Sequence, residues 1–206
     1  MENFVVITAD IVKSREQEAL RGKIVEKIRT FNYPDFAIPF SISRGDEFQA
    51  VLEKPDNLAI IIRRFRYFVK PLELHIGVGI GVIDEHKLRN AKSSWDLTGE
   101  IFIRARDALD TAKDSKLYKT YVKTNDESAD IYLNAIFLLL DSIESDWTEK
   151  QWEAVHTYES QGTYEKASKI LKSTIQNIQQ HCSSAKWSIV KEAEEKLELL
   201  LKEFSK

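Results

Sequence analysis

Apolar residues follow two different periods along this chain, and the switch between them divides it. Residues 4–9, Phe-Val-Val-Ile-Thr-Ala, form a nearly unbroken apolar run and predict a buried strand. Residues 16–31 instead place Leu20, Ile24, Ile28 and Phe31 on one helical face. Short strands are expected over 36–43 and 48–52, closed by a hairpin at Arg44-Gly45-Asp46-Glu47. A second helix starts at Pro55-Asp56, with Leu58, Ile61, Ile62, Phe65 and Phe68 as its apolar stripe, and 72–83 predicts another strand.

The order to this point is β-α-β-β-α-β, the split ferredoxin-like arrangement. Residues 84–98 are expected to be a polar loop. A helix follows Gly99, with Ile101, Ala105, Ala108, Leu109 and Ala112 on one side, and a strand is expected over 117–123. The pattern ends at the polar, aperiodic stretch Thr124-Asn125-Asp126-Glu127-Ser128. Beyond it the period is helical throughout. Helices are expected over 131–143, after a Thr148 cap, from about Tyr164, from about Ser173, and from Ala185, with Gln161-Gly162-Thr163 as a turn. The last carries Val190, Ala193, Leu197, Leu200 and Phe204 as its stripe. The expected class is α+β: a ferredoxin-like palm with an extra helix and strand over 1–126, then an all-α, helix-turn-helix-like domain over 127–206.

Composition changes this picture little. A chain of 206 residues suffices for one sizeable domain or a modest domain plus a small one. With 43% hydrophobic and 31% charged residues it has the balance of an ordinary globular protein. A net charge of -3 means that nucleic-acid contact requires a local patch. Cys182 is the only cysteine, which excludes an internal disulfide and a cysteine-rich zinc site and fits a reducing compartment. The start of the chain lacks a basic flank and a long apolar region, and the longest apolar stretch elsewhere, 135–140, is too short to cross a bilayer. A cytoplasmic location without a membrane partner is expected.

The candidate chemistry lies at one sheet edge. In this strand order the first and third strands are antiparallel neighbours, about 4.8 Å apart, so Asp10 falls beside Asp46, with Glu47 nearby. Clustered carboxylates repel unless a cation neutralises them, and Mg²⁺ or Mn²⁺ suits such a site. Lys13, Ser14 and Arg15 lead into the first helix and form an anion-binding N-terminus. Carboxylates beside a phosphate-sized site point to a nucleotide. Asp96 and Arg106 are further candidates to reach it, each with a cap or an ion pair as the alternative. For Asp10 and Asp46 the alternatives are a helix cap and a hairpin turn. His75 reads as a structural histidine. Gly77, Gly79 and Gly81 leave one strand face bare, to be covered by a packed helix or by a ligand, with packing favoured.

In the C-terminal half, two short helices follow Gly162 and resemble a helix-turn-helix, with 173–183 as the recognition helix. Lys169, Lys172, Thr174, Gln176 and Asn177 are its candidate DNA contacts. Residues 163–191 hold Lys166, Lys169, Lys172, Lys186 and Lys191 against Glu165 alone. No arginine occurs after Arg106, although arginine is the commonest reader of guanine, so a packing or subunit-pairing hairpin remains the alternative. Trp152 and Trp187 are expected in the core.

Three blocks together resemble the SatD family, whose function is uncharacterised: Asp10-Ile11-Val12-Lys13-Ser14-Arg15, Gly45-Asp46-Glu47-Phe48-Gln49, and the strand Ile76-Gly77-Val78-Gly79-Ile80-Gly81. Gly99, Phe102, Ala105 and Arg106 extend the match. More distantly, the same blocks resemble class III nucleotide cyclases and GGDEF-type diguanylate cyclases. That likeness implies Asp10 and Asp46 as metal ligands, with Glu47 a further candidate. The chain departs from the cyclase pattern at Arg44, which replaces a glycine and places a cation where the nucleotide would lie, and in lacking a counterpart of the late Asn/Arg pair. It departs from the SatD pattern at Glu100-Ile101, which replaces Pro-Ala. The first expectation is a regulator whose palm binds a divalent cation and a nucleotide and whose helices contact DNA. A Mg²⁺-dependent cyclase-like enzyme and a non-catalytic interaction module are the alternatives, and a second copy of the chain is a further candidate partner.

Overall fold

The structure, a computed structural model, describes residues 3–13, 18–42 and 47–204. Two compact units form: Met1–Leu138 together with Leu197–Lys206, and Leu139–Lys196. The first contains β1 (Phe4–Ile11), α1 (Glu18–Ile28), β2 (Phe36–Ile42), β3 (Glu47–Leu52), α2 (Leu58–Phe68), β4 (Leu74–Gly81), α3 (Glu85–Asn90), α4 (Glu100–Asp114) and β5 (Thr120–Lys123). α5 (Glu127–Ser145) begins in it.

The five strands make one mixed sheet in the order β2-β3-β1-β4-β5. β1 is antiparallel to both β3 and β4, and β5 runs parallel to β4. The central place of β1 explains its lack of polar alternation. Val5, Val6, Ile7 and Ala9 are all buried, because both faces of the strand are covered.

One face is built on aromatic rings. Phe65 of α2 stacks on Phe40 of β2 at 4.0 Å between ring centroids, and Phe31 packs 5.2 Å from the same ring. α4 covers the other face, lying on β4 and β1. A Cβ added at Gly77 would sit 2.2 Å from the Leu109 backbone nitrogen, and one at Gly79 would sit 2.2 Å from the Ile101 carbonyl oxygen. The bare strand face is therefore occupied by a helix backbone, and Ala105, Ala108 and Ala112 are the small residues that permit the approach.

The polar stretch 84–98 is not wholly a loop. Asp84 caps α3 by accepting from the His86 and Lys87 amides, and Ser93 and Asp96 form a capping box around a single 3-10 turn at Ser94–Asp96. These elements arise from side chains bonding to nearby backbone, so they carry no apolar period. Ser94 is buried and donates to the Gln49 carbonyl at 3.1 Å, and its hydroxyl lies 2.8 Å from that of Ser41. That pair of contacts pins the turn to β2 and β3.

The second unit holds α6 (Glu149–Gln161), α7 (Tyr164–Ile170) and α8 (Ile175–Ser184), which pack on one another, and the first part of α9 (Trp187–Phe204). Thr148 and Gln151 form the capping box of α6, and Gly162 ends that helix in the left-handed conformation at φ 75°. Trp152 and Trp187 are buried, and the Trp147 indole donates to the Ala185 carbonyl at 2.8 Å. Among the described residues no helix is long and apolar enough to cross a membrane.

Candidate functional site

The sheet face beneath α4 changes character along its length. At one end Val6, Val51, Leu97, Ile101 and Ala105 form an apolar cluster. Two residues further along β1, Thr8 stands opposite Gln49 of β3, and the buried Gln49 amide donates to its hydroxyl at 3.1 Å. Two residues beyond that, Asp10 stands opposite Glu47 on β3 and opposite His75 on β4. Strand period 2 keeps all of these on one face, so the polar end of the interface gathers Asp10, Glu47 and His75.

α4 answers with charge. Arg106, Asp110 and Lys113 recur at helical spacing, and the two cations reach down to the sheet. Both terminal nitrogens of Arg106 bond the Glu47 carboxylate, Nη1 to Oε1 and Nη2 to Oε2 at 2.6 Å. Lys113 Nζ lies 2.7 Å from Asp10 Oδ2. Glu47 and Asp10 are the more buried partners, with side chains 21% and 14% exposed. The bond to Glu47 holds the Arg106 guanidinium above its ordinary pKa, and the bond to Asp10 does the same for Lys113; Asp110 adds to both. Burial pushes the His75 imidazole below its usual value, opposed by Asp10 and reinforced by Lys113 and Lys119.

The donor chemistry bears on the implied metal. Asp10 and Glu47 are hard oxygen donors on adjacent strands, a set that fits an ion completing its shell with water and phosphate oxygens. It does not make an all-protein cage. Among the described residues no group of three or more His, Cys, Asp or Glu is arranged to hold a metal ion.

The other expected residues fall as follows. Lys13 is exposed, has a left-handed backbone at φ 53°, and borders a cavity of about 250 Å³ together with Val12, Pro71 and Glu73. The Val12 amide donates to the Glu73 carbonyl at 2.9 Å, which places this cavity just past Asp10 along β1. Ser14, Arg15, Arg44 and Asp46 lie outside the described residues. Asp96 serves as a cap, accepting from the Lys92 and Ser93 amides at 3.0 and 2.9 Å. Arg106 makes the ion pair with Glu47. Lys113 joins the site through its place on α4: seven residues after Arg106, it lies on the same helix face.

In the second unit Lys169 pairs with Glu165 at 2.7 Å, and Thr174 caps α8 by accepting from the Asn177 amide. Lys172, Gln176 and Asn177 are exposed, and Lys172 has φ 48°. Burial pushes the Cys182 thiol up to about 11, so it is a packed side chain, not a reactive thiol.

Searches among curated proteins and among solved structures return no match to the chain. The sequence model of the SatD family does match, over residues 4–200. That span runs from the start of β1 almost to the end of α9 and includes Asp10, Glu47, Arg106 and Lys113. The chain belongs to the SatD family.

Proposed function

We propose that this chain is a regulator whose α+β unit works as a ferredoxin-like palm, binding a divalent cation together with a nucleotide, and whose helical unit contacts DNA. One observation carries the reading of the palm: Asp10 and Glu47 stand in register on neighbouring strands, each met by a cation from α4. A metal–polyphosphate complex requires both kinds of group within a few ångströms, carboxylates for the ion and fixed cations for the phosphates. In this reading Asp10 and Glu47 hold Mg²⁺ or Mn²⁺, with Asp46 added on sequence alone. Arg106 and Lys13 face the phosphates, with Ser14, Arg15 and Arg44 added on sequence alone. The bound ion would supply charge neutralisation for the phosphate chain.

For the helical unit the support is the excess of lysine over 163–191, with Lys172 and the polar side chains of Gln176 and Asn177 exposed. Lys172 and Lys186 follow α7 and α8 with positive φ, a conformation usually left to glycine, so both cations are kept at a backbone cost.

A thermal-shift series with Mn²⁺ and each of the four ribonucleoside triphosphates tests the palm. At least one combination should raise Tm by several degrees, and Asp10→Asn should abolish the rise. No shift with any combination would reject the nucleotide site. Product analysis of the same mixtures tests the cyclase alternative. Retention on duplex DNA should fall as salt rises and weaken in Lys172→Ala; retention indifferent to both would remove DNA from the reading.

A further inference from the structure

The groups of the candidate site are already paired with each other. Arg106 occupies both oxygens of Glu47, and Lys113 occupies Asp10 at 2.7 Å. A free divalent ion approaching the two carboxylates meets two cations in place. A free polyphosphate approaching the two cations meets two carboxylates in place. In either case one ligand arriving alone must break an ion pair and leave a like charge beside the newcomer, which is unfavourable. Metal and polyphosphate arriving together avoid that penalty. The ion takes over Asp10 and Glu47 while the phosphates take over Arg106 and Lys113, so four charges exchange partners and none is stranded.

We infer that the divalent cation and the phosphate-bearing ligand bind this site with strong positive coupling, each poor alone and tight together. The inference rests on the palm reading and deepens it, because it names Lys113 as a phosphate-binding residue and assigns the α4 cations a second role. Arg106 and Lys113 supply the positive charge that a metal would otherwise bring to Glu47 and Asp10. Asp110, on the same helix, favours the charged form of both cations. Such coupling is reciprocal: the factor by which metal tightens the nucleotide equals the factor by which nucleotide tightens the metal.

The test is a three-way comparison on the full chain. Mn²⁺ retained by the protein is read by equilibrium dialysis against matched Mn²⁺ and Mn²⁺–triphosphate solutions, so that ion chelated by free triphosphate is not counted. Tm is read in parallel, with Mn²⁺ alone, each nucleoside triphosphate alone in chelator, and the two together. The expected result is little binding of either component alone and at least about tenfold tighter Mn²⁺ binding when a triphosphate is present. Lys113→Gln and, independently, Arg106→Gln should gain affinity for Mn²⁺ alone, because each frees a carboxylate. A purely structural ion pair would give no such gain. Wild-type protein that binds Mn²⁺ equally well with and without triphosphate overturns the coupling and leaves the metal site standing. Absence of binding in every combination removes the site itself, and the coupling with it. The wild-type comparison needs no variant, so a misfolded substitution does not blunt it.

Discussion

The two ends of the α4–sheet interface are built on opposite physical terms. At the apolar end the helix backbone lies directly on Gly77 and Gly79, and contact is so close that even a methyl group has no room. At the polar end the same helix meets the sheet through long side chains, in charge pairs of Arg106 with Glu47 and Lys113 with Asp10. The first arrangement has one packing solution and no use for a ligand. The second consists of partners that water, ions or phosphate can replace. One helix thus meets the sheet through backbone contact at one end and through ion pairs at the other.

Three changes would break or sharpen that contrast. The largest effect is expected at the apolar end. Gly79→Ala forces a methyl against the Ile101 carbonyl, so α4 must shift, costing about 3 kcal/mol, the upper part of the range for overpacking. Chemical denaturation should show a lowered midpoint with an unchanged slope; a loss under about 0.5 kcal/mol would mean that α4 seats loosely enough on β4 to admit a methyl group. Thr8→Val, at the boundary between the two ends, comes next. It leaves the buried Gln49 amide without its hydroxyl acceptor, at a cost of about 1–3 kcal/mol, and a neutral result would show that Gln49 rearranges.

The smallest effect belongs to His75 at the polar end. Its folded pKa lies below the ordinary 6.5, chiefly because it is buried. Between the folded pKa and 6.5 the unfolded chain binds more protons. Its contribution to stability is therefore complete above about pH 6.5 and is lost as pH falls toward the folded value. The charges facing it are Asp10 and Glu73, which raise the pKa, and Lys113 and Lys119, which lower it. Imidazole titration followed by NMR should give a midpoint under 6.5, moving upward in Lys113→Gln. A midpoint at or above 6.5 in the wild-type protein contradicts the burial argument.

Much of the first unit is legible in the sequence. The nearly unbroken apolar run at Phe4–Ala9 marks the central strand because a strand covered on both faces lacks polar alternation. The placing of Asp10 beside the hairpin follows from strand order, which the succession of helical and strand periods already suggests; the register sets it opposite Glu47. The glycine strand shows that something lies close against it, but not what. α3 and the serine-pinned 3-10 turn are invisible to periodicity, since caps and side-chain hydrogen bonds build them without an apolar stripe.

The site divides along the same line. Candidate carboxylates are visible locally, as acids at the end of one apolar strand and at the start of another. Their partners are not. Arg106 is 59 residues from Glu47 in the chain, and nothing in the sequence near either one announces the pair. Lys113 resembles any cation in the last turn of a helix until α4 is laid across the sheet.

The sequence by itself determined the strand and helix periods, the acidic residues at the end of β1 and in the β2–β3 hairpin, and a glycine face that demands close cover. Those features depend on side-chain alternation and chain connectivity, which are local. Tertiary structure alone decided that α4 supplies the cover, that its glycine contacts fix its position, and that this position delivers Arg106 and Lys113 to Glu47 and Asp10. Charge pairing across such distances in the chain exists only after the helix has docked, because a few ångströms of separation decide whether two charges interact at all.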